Sequence, residues 1–412
     1  MRAAQNRFAA AITGIGLVTA AGTDTKQTWN EITSATVPSA VRRPPVLQGL
    51  PCDFMYTIED LDTDEHLGAD IRLMDRFAQL AVIAAREAVA DAGLDPETWD
   101  GTRVAVVIGS AHGGLNFYDE QQTVLTERGA RRVSPKVAPL SVPNNATSSV
   151  CKDLGARGPS LAVSTACASG TDAIGTALGW LRAGRCDIAV AGGAESLTSR
   201  LVFASTCQMK ALSTRVDDPA TACRPFDVDR DGFVVGEGAG LLVLEHPDHA
   251  HARGATPRAR LAGYGSSNDA FSCVAPDESG TGIETALRAA LTDADLSARD
   301  VGHVNTHGTS TVMNDLVESA ALHRVLGEAP LLTSTKAMTG HALGAAGGIE
   351  AALTALTLEA QLIPPTANLT RQDPGVPLEV VAKAARRAHL ECAATSSLGF
   401  GGHNAVLLLT RT

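Results

Sequence analysis

The 412-residue chain predicts an α/β protein of two similar halves, and three features carry that expectation. Short apolar, β-branched runs alternate with Ala-rich segments of helical spacing, the pattern of mixed or parallel sheets covered on both faces. Hydrophobic residues make up 44% of the chain, with 39 glycines and 4% aromatics, which fits a large core of small aliphatic side chains and excludes disorder. Two segments also resemble each other. "AVSTACASGTDAIGTAL" (162–178) and "LTSTKAMTGHALGAAGG" (332–348) align Ser164, Thr165 and Gly170 with Ser334, Thr335 and Gly340, each after a strand and before a small-residue helix.

The elements follow in order. "MRAAQNRFAAAITGIGLVTAAG" has two arginines ahead of an apolar run, as a signal peptide does. Ile12 to Gly16, β-branched residues broken by glycines, read instead as a first buried strand. "RFAQLAVIAAREAVADAGL" (76–94) has helical spacing and a glycine stop. Apolar runs at 103–110, 160–166, 186–193 and 239–246 predict strands, and "ASGTDAIGTALGWLRAG" predicts a helix ending at Gly184. "HPDHAHARGATPRAR" (246–260) reads as a surface connection, so the halves divide as 1–250 and 251–412. Its histidines, 246, 249 and 251, lack a carboxylate or cysteine to complete a metal set and read as a solvated turn. Further strands are expected at 303–308, 330–335 and 405–410.

A formal charge of −11 excludes general nucleic-acid affinity while leaving room for a local basic patch. The eight cysteines are scattered, without CxxC or CxxC…HxxxH spacing, the usage of a reduced cytoplasmic protein without a metal site. No run reaches transmembrane length, so no membrane association is expected.

Four segments carry chemistry. Cys167 in "VSTACASGTDAIG" lies between a strand and a helix start, where the positive end of the macrodipole favours a thiolate and free N–H groups can serve an oxyanion. Read alone, it is equally an inert core cysteine. His307 in "NTHGTSTVMNDLVE" follows a strand, with Thr309 and Thr311 placed to hydrogen-bond a polar substrate arm. His341 in "STKAMTGHALGAAGG" opens a glycine-rich helix, five residues after Lys336. A lone histidine is more often a core residue than a catalyst, but two at such junctions are a different case. "SSLGFGGHNAVLLL" places Phe400 in a glycine-rich turn that suits a second oxyanion N–H, or is an ordinary tight turn.

Together with "RPFDVDRDGFVVGEGAG" (224–240), these motifs occur in family order from "AAITGIGLVTAAG" to "GFGGHNAVLLL". The chain thereby resembles the elongating β-ketoacyl-acyl carrier protein synthases, type II ketosynthases of the thiolase superfamily. The resemblance implies a thiolase-like fold in five layers, α-β-α-β-α, with the cysteine in the first half and both histidines in the second. It implies a Cys167-His307-His341 triad and an oxyanion hole from the N–H groups of Cys167 and Phe400. Lys336, Glu318 and Glu350 support it through orientation and charge balance, with Glu350 the expected partner of Lys336. The implied reaction is a decarboxylative Claisen condensation of an acyl thioester on Cys167 with malonyl carrier protein. No cofactor is bound; substrates ride on the phosphopantetheine of acyl carrier protein.

The sequence departs from the family pattern twice. His112 in "GSAHGGL" stands where an apolar residue is common. It suggests either a polar or bent substrate chain, as in a polyketide pathway, or a hydrogen bond across a dimer interface. Val312 replaces a common proline and affects local loop shape. Arg131, Arg132 and Lys210 match positions near the entrance, so they are expected to dock an acidic carrier protein. The assembly is expected to be a homodimer, or a heterodimer with a chain-length-factor-like subunit. Housekeeping fatty acid elongation remains the alternative pathway. A non-condensing partner subunit characteristically lacks the cysteine, and a papain-type hydrolase leaves the second histidine segment unexplained.

Overall fold

A computed structural model describes residues 7–34, 40–59 and 61–412. Met1 to Asn6, which include Arg2 of the signal-like stretch, lie outside the described residues. Ten strands make up the main sheet: β1 (Ala10–Thr19), β2 (Val104–Gly109), β3 (Ser160–Val163), β4 (Ile188–Glu195), β5 (Gly238–Glu245), β6 (Ala259–Asn268), β7 (Val301–Asn305), β8 (Leu331–Thr333), β9 (Cys392–Gly399) and β10 (His403–Thr410). The helices that position the site are α1 (Arg76–Asp91), α2 (Leu115–Arg128), α3 (Asn144–Leu154), α4 (Ser169–Arg182), α5 (Arg200–Gln208), α6 (Thr281–Ala294), α7 (Val312–Leu326) and α8 (Ala346–Ala360).

The strand order is β8-β7-β9-β10-β6-β1-β5-β4-β2-β3. Taken from its own first strand, each half has the order third, second, fourth, fifth, first, and the directions match. In the first half β2 runs parallel to β3 and β4, while β5 is antiparallel to β4 and β1. In the second, β7 runs parallel to β8 and β9, while β10 is antiparallel to β9 and β6. The repeat seen at 162–178 and 332–348 therefore extends to whole halves. They join through a short antiparallel pairing of Ala10–Ile12 with Ala259–Leu261.

The layers are those of a thiolase-like fold. α1 and α3 cover the outer face of the first half, and α6, with α7 against it, covers the second. α4 and α8 lie between the halves and touch strands of both, inside one apolar cluster that includes Ala173, Leu178, Ile349 and Leu353. Small residues make this possible. A Cβ on Gly170 would come 2.7 Å from the Gly348 nitrogen, and one on Gly348 would come 2.3 Å from the Gly240 carbonyl oxygen. In β1, whose ten residues are all buried, a Cβ on Gly16 would come 1.9 Å from the Ala84 carbonyl oxygen of α1.

Two strands, β6 and β9, were not legible. "ARLAGYGSSN" and "CAATSSLG" lack a β-branched run, and their neighbours, not their own propensity, hold them extended. The 246–260 connection contains a short helix, Pro247–Ala252, and its final residues begin β6. His246 caps that helix and meets the Phe8 ring edge-on, whereas His249 Nδ1 lies 2.6 Å from Glu245. A carboxylate is thus adjacent after all, paired with one histidine and with Arg253. Among the described residues no helix is long and apolar enough to cross a membrane.

The central contact sets a stability test. Gly348→Val should lower the midpoint of thermal unfolding by several degrees, because overpacking a tight core costs about 1–3 kcal/mol. Gly179→Ala, exposed and with open space around its Cβ, should leave the midpoint unchanged or raise it. Circular dichroism melts of both variants check the expectation.

Candidate active site

Cys167 sits on a strained elbow between β3 and α4. Ala166, before it, has φ 51°, a left-handed conformation that costs a non-glycine residue about 1–3 kcal/mol and needs support. Ser169 supplies it: its Oγ accepts from the Thr165 N–H at 2.9 Å and donates to the Ala166 carbonyl at 2.6 Å. Gly399, at the end of β9, closes over the elbow; a Cβ there would come 2.6 Å from the Thr165 carbonyl oxygen. This contact brings the Phe400 N–H into a hydrogen bond with the Cys167 thiol.

His341 follows Gly340, whose φ of 68° turns the chain back from the Lys336–Thr339 helix. Its N–H donates to the Val234 carbonyl at 2.7 Å, and its carbonyl accepts from Gly236 at 3.0 Å. Its Nε2 lies 3.2 Å from Cys167 Sγ. His307, past the end of β7, meets His341 edge-on with ring centroids 5.2 Å apart. Glu318 on α7 anchors this turn, accepting from the N–H groups of His307 at 2.7 Å and Gly308 at 2.9 Å and from Ser396 Oγ at 2.7 Å. Lys336 forms a fully buried ion pair with Glu350.

Burial decides the charge states. It pushes the Cys167 thiol up to about 12, against the opposing pull of Lys336 and the Phe400 N–H. The thiolate expected from the helix start is therefore not the resting form, and α4 begins only two residues later, at Ser169. Burial, and then the Lys336 charge, holds His307 and His341 well below the ordinary histidine range, so both imidazoles are neutral. Burial raises the Glu350 carboxyl while Lys336 pulls it back. Among the described residues neither histidine Nδ1 has a hydrogen-bond partner, so no protein group locks either tautomer. Sγ and one nitrogen of each histidine lie within 4.8 Å of one another, a spacing that admits a soft cation, and the Lys336 charge works against one.

A cavity of about 580 Å³ opens onto this cluster. Cys167, His307, His341 and Phe400 line it together with Thr309, Thr311, His112 and Lys210. Thr309 and Thr311 hydroxyls pair at 2.9 Å. Leu197, Phe203 and Leu343 form its apolar interior, and Met209, Val274 and Met313 its exposed rim. Lys336, Glu318 and Glu350 stand behind the lining. Arg131 and Arg132 lie apart from the cavity, on an exposed short helix after α2. Val312 is the first residue of α7, a position whose N–H needs no helical partner and where proline is equally at home.

Two residues escaped the sequence reading. Phe233 meets the His341 ring edge-on at 5.1 Å and lay unassigned within the quoted "RDGFVVGEG". Glu195, fully buried at the end of β4, holds the His112 loop by accepting from the N–H groups of Ala111 at 2.6 Å and His112 at 3.3 Å. The signal was there: a carboxylate closing the apolar run "IAVAGGAE".

Comparison with known proteins places these features. The family model of the β-ketoacyl synthase N-terminal domain matches residues 9–250, and that of the C-terminal domain matches 258–370. The chain is 42% identical over 402 residues to 3-oxoacyl-[acyl-carrier-protein] synthase 2 of Staphylococcus aureus, covering 96% of this chain and 99% of that one. Among solved structures, a chain of the ishigamide ketosynthase/chain length factor superposes with TM-score 0.91 at 33% identity, covering 98% of this chain and 100% of that one. A chain from a type II PKS acyl-carrier protein in complex with its ketosynthase bound to the hexaketide superposes with TM-score 0.86 at 32% identity, covering 98% and 99%.

The protonation states predict a pH profile. Iodoacetamide alkylation of Cys167, followed by intact mass between pH 6 and 10, should accelerate by about tenfold per pH unit with no plateau, because the thiolate fraction keeps rising below the thiol pKa. A plateau near neutrality would reveal a standing thiolate.

Proposed function

The chain belongs to the β-ketoacyl synthase family and is an acyl-transferring enzyme, and we propose that it works by condensation on Cys167. The observation that carries this reading is the convergence of Sγ, two neutral imidazoles and the Phe400 N–H at one end of a single cavity. In the first stage Sγ attacks an acyl thioester on the phosphopantetheine of acyl carrier protein. His341 Nε2, at 3.2 Å, takes the thiol proton. The N–H groups of Cys167 and Phe400 hold the oxyanion, each donor being worth about 3–4 kcal/mol. Collapse breaks the carrier C–S bond, and the departing thiolate takes the proton back from His341.

In the second stage malonyl carrier protein enters. The bond to its carboxylate breaks, CO2 leaves, and the electron pair becomes an enolate whose oxygen accepts from Nε2–H of His307 and His341. The enolate carbon bonds to the acyl carbonyl carbon, the Cys167 C–S bond breaks, and the released thiolate takes up a proton from solvent, the one proton the decarboxylation consumes overall. An imidazole with an unengaged Nδ1 can accept in the first stage and donate in the second. Neutral donors suit a developing negative charge, whereas lysines would bind the malonyl carboxylate too tightly. Glu318 orients His307, and the Lys336 charge, held in place by Glu350, adds to burial in keeping both rings neutral; none of the three transfers a proton to substrate.

Thr309 and Thr311 are assigned to the polar substrate arm. His112 lines the cavity, its Nδ1 3.9 Å from the Glu195 carboxylate, and a polar ring in the lining supports a chain bearing polar groups and hence a type II polyketide or related secondary pathway. The 42% identity to the staphylococcal 3-oxoacyl-[acyl-carrier-protein] synthase 2 supports fatty acid elongation as the second reading. Carrier protein docks on Arg131, Arg132 and Lys210. The half carrying the cysteine is taken as 1–250 and that carrying the histidines as 251–412. Assembly is proposed as a homodimer or a heterodimer with a chain-length-factor-like subunit.

Intact mass after incubation with a panel of acyl carrier thioesters should show one added acyl group on the wild type and none on Cys167→Ala. Preference for oxygenated or polyene chains would support the polyketide reading, and preference for saturated chains the elongation reading. No adduct with any chain, with or without a co-purified partner subunit, would exclude a synthase. Reversing Arg131, Arg132 and Lys210 to glutamate should raise the apparent Michaelis constant for carrier protein about tenfold in low salt, with a smaller effect in high salt.

A further inference from the structure

The elbow that carries Cys167 is tied to the other half of the molecule by a carboxylate that no step of the condensation uses. Thr165, two residues before the nucleophile, donates its Oγ1–H to Asp172 Oδ2 at 2.5 Å. Asp172 Oδ1 accepts from the Tyr264 hydroxyl at 2.7 Å. Thr165 belongs to the elbow, Asp172 to the first turn of α4, and Tyr264 to β6 of the second half. Tyr264 reaches α4 because Gly175 lacks a side chain; a Cβ there would come 2.4 Å from the ring. Asp172 is 8% exposed, and burial raises its carboxyl, opposed by these two hydrogen bonds.

Asp172 does not act on the thiol directly. The charges felt at Cys167 are those of Lys336, Glu195 and Glu350. Asp172, Thr165 and Tyr264 line a separate cavity of about 480 Å³ that Cys167 does not border. A neighbouring tie runs parallel: Thr171 Oγ1 and Ser397 Oγ, the latter on β9 just before Gly399 and Phe400, lie 2.7 Å apart. The nucleophile comes from the first half, whereas the Phe400 N–H and both histidines come from the second. The relative placement of these groups therefore depends on bonds that cross between the halves at the elbow.

We propose that Asp172 is a positioning residue for the nucleophile: through Thr165 and Tyr264 it indexes the strained Ala166–Cys167 elbow against the half that supplies the histidines and the Phe400 N–H. The inference rests on the condensing function proposed above and adds to it a determinant of the acylation step. Its chemistry is geometric. Asparagine at 172 retains an acceptor for Thr165 and offers an N–H to the Tyr264 oxygen, so both links survive without the charge.

The test is single-turnover acylation of Cys167 by acyl carrier thioester, read by intact mass, with iodoacetamide alkylation of Cys167 measured alongside because it needs no carrier. Asp172→Ala should slow acylation tenfold or more at an unchanged half-saturating carrier concentration, and Asp172→Asn should restore the rate to within about threefold of wild type. Thr165→Val should match Asp172→Ala, and the double variant should lose no more than either alone, as expected for two residues acting through one link. Wild-type acylation in Asp172→Ala, or fully additive losses in the double variant, would overturn the proposal. If wild type itself forms no adduct, the condensing function fails instead, and the alkylation rates of the same folded variants still decide whether Asp172 positions Cys167.

Discussion

The close approach of α4 and α8 is the constraint on which the rest of the molecule depends. At Gly170, Gly193 and Gly348 the two helices and the strands beside them meet backbone to backbone, with no room for a Cβ. Each helix lies downstream of a strand-end turn of its own half, and those turns carry Cys167 in one case and Lys336 and His341 in the other. Packing the helices against each other in the central layer therefore delivers Cys167 from one half to a pair of histidines from the other. A side chain at the contact would push the layers apart and, with them, the 3.2 Å separation between Sγ and Nε2.

Around that junction the protein has traded solvation for control of charge. Burial leaves Cys167 a thiol and, with the Lys336 charge adding to it, both histidines neutral. A buried lysine would be costly in isolation, and its carboxylate partner, Glu350, makes it tolerable while its field acts on all three groups. Under the proposed mechanism such a site forms its reactive thiolate by proton transfer to His341, 3.2 Å away, when substrate is present. Such an arrangement protects the thiol from adventitious oxidation, since the thiolate is the reactive form.

Legibility in the sequence followed the physics of each segment. Strands buried on both faces, such as "VAVVIG" and "GAGLLVLE", announce themselves as apolar runs. β9, equally buried, does not, because its residues are small and polar and its extended form is imposed by β7 and β10 on either side. The internal repeat was visible as a few matched residues, although it spans five strands in each half, because topology persists when side chains diverge. The charge state of Cys167 was misread for a related reason: a helix start is a local feature, whereas desolvation depends on everything packed around it.

The sequence by itself determined the chemical parts: a cysteine and two histidines at strand or helix junctions, glycines where chains must approach, and a family pattern spanning the chain. Each of these is local, encoded in residue type and spacing. The family pattern also anticipated that Lys336 pairs with Glu350, whereas only the tertiary structure decided the distances at which groups meet, that Glu318 grips the His307 turn through backbone N–H groups, and that Arg131 and Arg132 stand away from the cavity that Lys210 borders. Distances between residues more than a hundred positions apart, and the burial that sets their protonation, are properties of the packed whole and leave no mark on any short stretch of chain.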